Sequence, residues 1–490
     1  MTTRTTDVLI IGAGNAALCA AHAAREEGQS VLVLEAAPEQ KSGGNSLFTA
    51  GATRIVHEGL ESLKDLVDED ERHARSEVPA YSAADYRADL EKVTEGRNDS
   101  AMTETLVSNI AEDIRWLKGK GLSYRLMYER QAYERPDGSY LFWGGLHVGN
   151  VDGGEGLIRD HFRVAHESGI EIVYGARATD LLVEDDVVVG AAFESQGETH
   201  NVHARSTVIA SGGFESSRQM RAEHMGEQWR HAVTRGTQYN TGTMLEAALR
   251  LGAAKGGDWT TCHATQWDAG FADNESNYEV TNRLTRQSYP LGILVNRDGR
   301  RFLDEGADFR NLTYAKYGKE VLLQPGAVAW QIFDAPLRPM LRSEEYEVPG
   351  VGEHIAGSIP ELAKLTGIDA EGLNQTIAEF NDSIDDSAAF DPNVKDGRSA
   401  ETSPPKSNWA NPIRTAPYYA YPVTCGITFT FGGLKGDESA RVLNTDGNPI
   451  KGLYACGEAL GGLFSQNYPG GSGLAAGIVF GRIAGRSATH

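Results

Sequence analysis

The stretch DVLIIGAGNAALCAAHAAREEGQSVLVLEAA, residues 7–37, decides the fold. Val8 to Ile11 is a short apolar run of the kind that forms a strand buried on both faces. Asn15 to Glu27 is rich in alanine and reads as a helix, and Ser30 to Leu34 is a second strand-like run. Strand, helix and strand in that order make a parallel βαβ unit. Between the first strand and the helix lies GAGNAA, residues 12–17. Gly12 permits the tight turn, Gly14 lets a backbone approach a pyrophosphate, and Ala17 allows close helix packing. The helix start, with Asn15 and Ala16, offers free N–H groups and the positive end of its dipole to phosphate. Glu35, followed by Ala36, ends the second strand, where a carboxylate accepts hydrogen bonds from a ribose and disfavours a 2′-phosphate. These residues predict a dinucleotide site that is not for NADP, and they leave NAD and FAD both open.

A chain of 490 residues exceeds one average core and suggests about three domains. Its 46 basic against 68 acidic residues, a net charge of −22, exclude a nucleic-acid surface, which needs clustered Lys and Arg. Cys19, Cys262, Cys425 and Cys456 show no CxxC spacing, so no disulfide framework, iron–sulfur cluster or metal site is expected. Packing thiols fit a reducing cytoplasm. No signal-peptide pattern opens the chain and no apolar run approaches the roughly 20 residues of a membrane span, so membrane contact is expected only peripherally, through a partner.

Past the βαβ unit, a polar helix-rich segment runs from about Gly59 to Lys120, and β-character returns near Ile170 to Tyr174 and Val183 to Phe193. From about Asp258 the texture becomes aromatic and rich in Asn and Arg, with helices near Ile359 to Leu365 and Ala370 to Ser383. Residues 391–412, rich in Pro, Ser and Asp, read as a surface loop. The last 65 or so residues return to strands, glycine turns and an Ala/Gly helix. The fold class is therefore α/β: a discontinuous Rossmann-like domain, 1–257 and 426–490, with an inserted α+β capping domain, 258–425.

Further glycine turns separate the two candidate cofactors. SGGNSLFTAG, residues 42–51, is a second glycine loop, with Gly43, Gly44, Asn45, Ser46 and Gly51 placed to wrap a diphosphate and ring. STVIASGGF presents Ser211, Gly212 and Gly213 after a buried strand, and NPIKGLYACGE does the same with Gly457 and Glu458. Gly153, Gly154 and Ala178 join these as cofactor candidates. YPGGSGLAAG carries Gly471, Ser472, Gly473 and Leu474 at a helix start, expected to face the O2 edge of a flavin. The set points to FAD.

SGGNSLFTAGATR, DEGADFRNLTYAKYG, QPGAVAWQIFD, YPVTCGITFTFGGLK and FSQNYPGGSGLAAGIVFGR resemble the fumarate reductase/succinate dehydrogenase flavoprotein family over nearly the whole chain. Within it, the likeness is to the FAD-dependent tricarballylate dehydrogenases. The resemblance implies desaturation of a C–C bond beside a carboxylate, tricarballylate to cis-aconitate, by α-proton abstraction and β-hydride transfer to flavin N5. Where membrane-complex members tether FAD through histidine, this chain has Asn45, which implies non-covalent FAD. The resemblance also implies a substrate-carboxylate histidine at His263, a proton pathway through Glu305 and Arg310, and proton transfer by Arg338, with Arg342 as its rival. Tyr314 is a further acid/base or carboxylate-donor candidate.

Two departures argue against succinate or fumarate. Phe429 stands where fumarate-reducing members carry a carboxylate-binding histidine, and Tyr468 where they carry a clamping arginine. Thr428, Thr430 and Tyr468 remain as hydroxyl donors for a differently shaped acid, and Tyr468 joins the catalytic candidates. The resemblance implies a membrane-associated iron–sulfur acceptor protein feeding quinone. Alternatives are a soluble reductase of an unsaturated acid, a 3-ketosteroid Δ1-dehydrogenase-like enzyme suggested by NYPGG, and a non-catalytic flavin subunit.

Overall fold

The computed structural model describes residues 3–271 and 278–490; part of the expected capping segment, 272–277, lies outside them. The first strand, Thr3–Ile11, sits at the middle of an eight-stranded sheet. It pairs in parallel with Val31–Glu35 on one side and with Glu198–Ile209 on the other. The register sets Val8 opposite Val31 and Ser206, and Ile11 opposite Leu34 and Ile209. Glu171–Tyr174 extends the sheet beyond Val31–Glu35, and Pro449–Ala455 extends it beyond Glu198–Ile209, both in parallel. Every residue of Val31–Glu35 is buried, as a continuous apolar run requires when helices cover both faces. Glu198–Ile209 is long enough to serve two roles. Its second half lies in this parallel sheet, while its first half also pairs antiparallel with Val187–Ser195, which in turn pairs with Arg177–Glu184.

Helix Asn15–Glu26 packs on the sheet, and helix Ser472–Ser487, from the opposite end of the sequence, packs on that helix. Gly477, Gly481 and Gly485 recur every fourth residue, so they fall on one face of the later helix. A Cβ added at Gly481 would lie 2.5 Å from the Ala16 carbonyl oxygen, and one at Gly485 2.2 Å from that of Ala20. The glycines let the two backbones touch, and the alanines of the first helix complete the contact.

A second sheet is organised by one strand, Tyr418–Thr430. It pairs antiparallel with Cys262–Asp268, Ala329–Phe333 and His354–Ala356, and in parallel with Val233–Thr234. Ile293–Asn296 lies outside Ala329–Phe333. Helices Ile359–Thr366 and Ala370–Asp382, expected from periodicity, bury Leu362, Leu373, Ile377 and Phe380 against Ile293, Val295 and Ile332. The 391–412 segment differs from a plain surface loop. Trp409 and Ala410 are buried, and Lys406 is fully buried with its Nζ donating to the carbonyls of Pro290 and Gly292. Carbonyls that no strand pairs draw the ammonium inward, and its polarity in sequence conceals this. Among the described residues no helix is long and apolar enough to cross a membrane.

Replacing Gly481 with valine drives a branched side chain into backbone that cannot yield. Thermal unfolding should show a loss of about 3 kcal/mol or more, the upper end of overpacking. The ratio of flavin to protein absorbance should fall with it, since the same contact seats the phosphate turn.

Candidate active site

Gly12, at φ +108°, turns the chain out of the first strand so tightly that a Cβ there would lie 2.5 Å from the Ala210 carbonyl oxygen. Helix Asn15–Glu26 then starts at Gly14 with no side-chain cap. Asn15 joins three parts of the fold. Its backbone N–H donates to Ser46 Oγ at 3.0 Å, its Nδ2 to the Leu474 carbonyl at 3.1 Å, and its Oδ1 lies 3.1 Å from His161 Nε2. Burial holds both His161 and its neighbour His22 in the neutral form, His22 down to about 3.

Around this helix start opens a cavity lined by Gly12, Gly14, Glu35, Ala36, Gly44, Ala178, Ser211 and Gly212. Glu35 accepts the Ala37 N–H at 2.7 Å, yet burial pushes its carboxyl up to about 7. The cavity runs into a second one, and both are lined by Asn15, Ala16, Asn45, Ser46, Gly457 and Glu458. Helix Ser472–Ser487 opens on the second cavity through Gly471, Gly473 and Leu474, again without a side-chain cap. Ser472 itself is buried and bonds Tyr86 Oη at 2.9 Å. Gly43, Gly51, Gly153, Gly154 and Gly213 stand behind the lining. Gly51 packs on Gly153, and Gly154 on the carbonyls of Ser46 and Leu47, so these glycines shape the loop through close backbone approach.

At the junction, Asn45 Nδ2 donates to Glu215 Oε1 at 2.6 Å and to the Thr428 carbonyl, while its Oδ1 accepts the Thr237 N–H at 2.8 Å. Glu458 accepts the Thr430 N–H at 2.7 Å and its hydroxyl at 3.1 Å. Glu215 and Glu458 are buried against each other. Burial and their mutual repulsion raise Glu215, and burial raises Glu458.

The second cavity is lined by both cationic and aromatic side chains. Arg130, Arg235, Arg310, Gln287 and Asn282 line it together with Tyr314, Phe429, Phe431, Phe464 and Tyr468. Arg310 donates to Gln287 Oε1 at 2.6 Å and to the Arg130 carbonyl. Burial, and then the charges of Arg342 and Arg130, hold its guanidinium well below the usual arginine range. Arg130 is paired with Glu344 and, at 2.9 Å, with the fully buried Glu345, which Arg342 also approaches at 3.7 Å. The hydroxyls of Tyr314 and Tyr468 bond each other.

The sequence-predicted catalytic residues separate accordingly. Arg310, Tyr314, Thr428, Thr430 and Tyr468 line the cavity. His263 is buried behind it, stacked on Phe429 and edge-on to both tyrosines, with neither ring nitrogen bonded. Glu305 is turned away from Arg310: it accepts the Leu294 N–H at 2.7 Å and pairs with Arg301. Arg338 is remote from the cavity, on a turn between Glu347 and Glu353 at 3.4 Å each. The Pro339 that follows it belongs to a single 3₁₀ turn, which aims the side chain outward. Arg130, Arg235, Asn282 and Gln287 were not legible as site residues, because each is an isolated polar residue outside any motif.

The family model described as FAD binding domain matches residues 7–474, so the chain belongs to that family. It is 29% identical to a probable fumarate reductase of Shewanella frigidimarina, over 99% of this chain and 75% of that protein. It is 26% identical to the 3-oxosteroid 1-dehydrogenase of Mycolicibacterium smegmatis, over 99% and 97%. Its fold superposes on the open conformation of a flavocytochrome c3 fumarate reductase with a TM-score of 0.73 and 27% identity, covering 99% of this chain and 78% of that one. The chain is therefore an FAD flavoprotein, similar to fumarate reductase and steroid dehydrogenase flavoenzymes.

The residues present fit that cofactor. Two uncapped helix starts, a buried acid at the end of the second strand and one continuous slot past Asn45 suit a diphosphate, a ribose and a long polyol chain. An amide nitrogen has no nucleophilic lone pair, so Asn45 cannot tether a flavin.

Acid precipitation should leave all the flavin in the supernatant and none on the pelleted protein. Glu35 predicts a pH dependence for FAD binding. Its raised value favours the protonated apoprotein, a contribution complete below the unfolded value of about 4.3 and lost as pH rises through about 7. Ribose hydroxyls donate to the ionised form, so the dissociation constant should fall as pH rises toward about 7 and level off above it. Fluorescence titration of the apoprotein measures this, and Glu35→Gln should flatten the profile.

Proposed function

We propose that this flavoprotein is a dehydrogenase that desaturates a C–C bond beside a carboxylate of a small polycarboxylic acid, with tricarballylate to cis-aconitate as the reaction that best fits. One observation carries the reading: a single cavity meets three buried arginines, and among the described residues the only fully buried carboxylate paired with any of them is Glu345. Arg235 and Arg310 have no carboxylate within 4 Å among the described residues. An unpaired buried cation costs several kcal/mol, so an anionic substrate is the natural partner. The relatives named above, which act on an unsaturated acid or next to a ketone, support chemistry at a C–C bond.

FAD, when bound, supplies the hydride acceptor. The chain supplies the rest. Arg310 is the candidate for the α-proton: it faces the cavity, and burial beside two cations makes its neutral form more accessible than that of a solvated arginine. Charge building on the substrate carboxylate as the proton leaves is stabilised by the surrounding arginines in a site shielded from water. Tyr314 and Tyr468, their hydroxyls bonded to each other, line the same cavity. The 258–425 segment is proposed as the substrate cap, and a membrane-associated iron–sulfur protein as the electron acceptor. The aromatic wall of Phe429, Phe431 and Phe464 favours a second reading, an apolar ketone substrate.

Anaerobic mixing with di- and tricarboxylates should bleach the oxidised flavin, with tricarballylate the fastest; bleaching by a 3-ketosteroid alone would reject the acid substrate. Arg310→Ala should lower the bleaching rate about 10³-fold, within the range for loss of a proton-transfer group. Arg338→Ala should leave it within about two-fold, as expected for an arginine in a partly exposed surface pair.

A further inference from the structure

The arginines on this cavity do not form one cluster. Arg310 hangs from Gln287 and the Arg130 carbonyl. Arg235 belongs to a separate frame: it follows strand Val233–Thr234, and its backbone N–H donates to the Ile427 carbonyl at 2.7 Å. Its guanidinium donates to Thr428 Oγ1 at 2.7 Å, to the Phe48 carbonyl at 3.1 Å and to Asn282 Oδ1, and its Nε has no partner. All of these acceptors are neutral, so among the described residues a side chain only 5% exposed has no directly paired counter-charge. Arg235 and Arg310 share no hydrogen-bond partner, and each keeps an unbonded, buried Nε. Two cations on separate frames, opening on one cavity, match a ligand with two separate anionic groups.

We infer that Arg235, oriented by Thr428, is a second carboxylate anchor, so that the site selects acids bearing at least two carboxylates, one on Arg235 and another on the Arg310 side. This rests on the reading of the substrate as a carboxylic acid and specifies it further. Nothing in the GxGxxA turn or the later glycine loops assigns Arg235 a role. Held at its backbone and through its guanidinium, it loses little freedom when a carboxylate binds, which favours affinity.

The test uses the FAD-loaded protein and reads the dissociation constants of tricarballylate and of butyrate from the flavin difference spectrum. Wild type should bind tricarballylate far more tightly than butyrate. Arg235→Gln should weaken tricarballylate about 100-fold, the scale for losing one partner of a buried charge pair. Butyrate, held on the Arg310 side, should change less than about three-fold by the same reasoning. The effect should appear in KM and not in kcat. Arg235→Lys should recover part of the loss, since it restores charge without the planar fork. Flavin content and thermal unfolding show whether a variant has lost its fold. Thr428→Val, which removes one hydroxyl and leaves the arginine, should weaken tricarballylate alone by about five-fold, the scale of one hydrogen bond. Equal losses for both acids, or none for either, in the folded variants would overturn the second anchor. Binding as expected with no bleaching would keep the anchor and reject the desaturation. Absence of polycarboxylate binding in the wild type would reject both.

Discussion

The structure depends on one close contact, the backbone-to-backbone packing of helix Asn15–Glu26 on helix Ser472–Ser487. Glycine on one helix and alanine on the other bring the axes closer than larger side chains would allow. The contact places two helix N-termini, nearly the whole chain apart in sequence, on one continuous slot. Asn15 fastens the arrangement by bonding Ser46, Leu474 and His161 at once. A fold that seats a long dinucleotide needs both ends of the slot fixed relative to each other, and this interface does so.

From that frame the second sheet acts by delivery. Strand Tyr418–Thr430 pairs with four others and ends at Thr428, Phe429 and Thr430. Thr428 holds Arg235, Phe429 stacks on His263, and Thr430 bonds Glu458. A single element thus touches Arg235, the aromatic residues of the cavity and Glu458.

Charge is distributed with the same economy. The chain as a whole is strongly acidic, at −22, while its inner cavity is locally cationic. Glu345 offsets Arg130 and Arg342, and among the described residues no carboxylate lies within 4 Å of Arg310 or Arg235. Glu215 and Glu458 face each other where both cavities meet, and repulsion between them favours one shared proton over two charges. Arginines in the second cavity and carboxyls where the two cavities meet give the slot an uneven charge.

The sequence by itself determined the parallel βαβ core, the phosphate turn and the acid Glu35, because these obey local rules of periodicity and turn chemistry that a contiguous stretch contains. It also determined the choice of FAD over NAD, through glycine turns that recur after strands, and the absence of a tethering side chain at Asn45. Tertiary structure alone decided which of the many arginines serve the site. Arg338 follows a suggestive motif and ends on the surface, while Arg130 and Arg235 sit in no motif and line the cavity. His263 and Glu305 were drawn into packing and pairing away from it. The physical reason is that a cation's role depends on which distant carboxylate neutralises it and how deeply the fold buries it, and both are set by contacts between residues far apart in the chain.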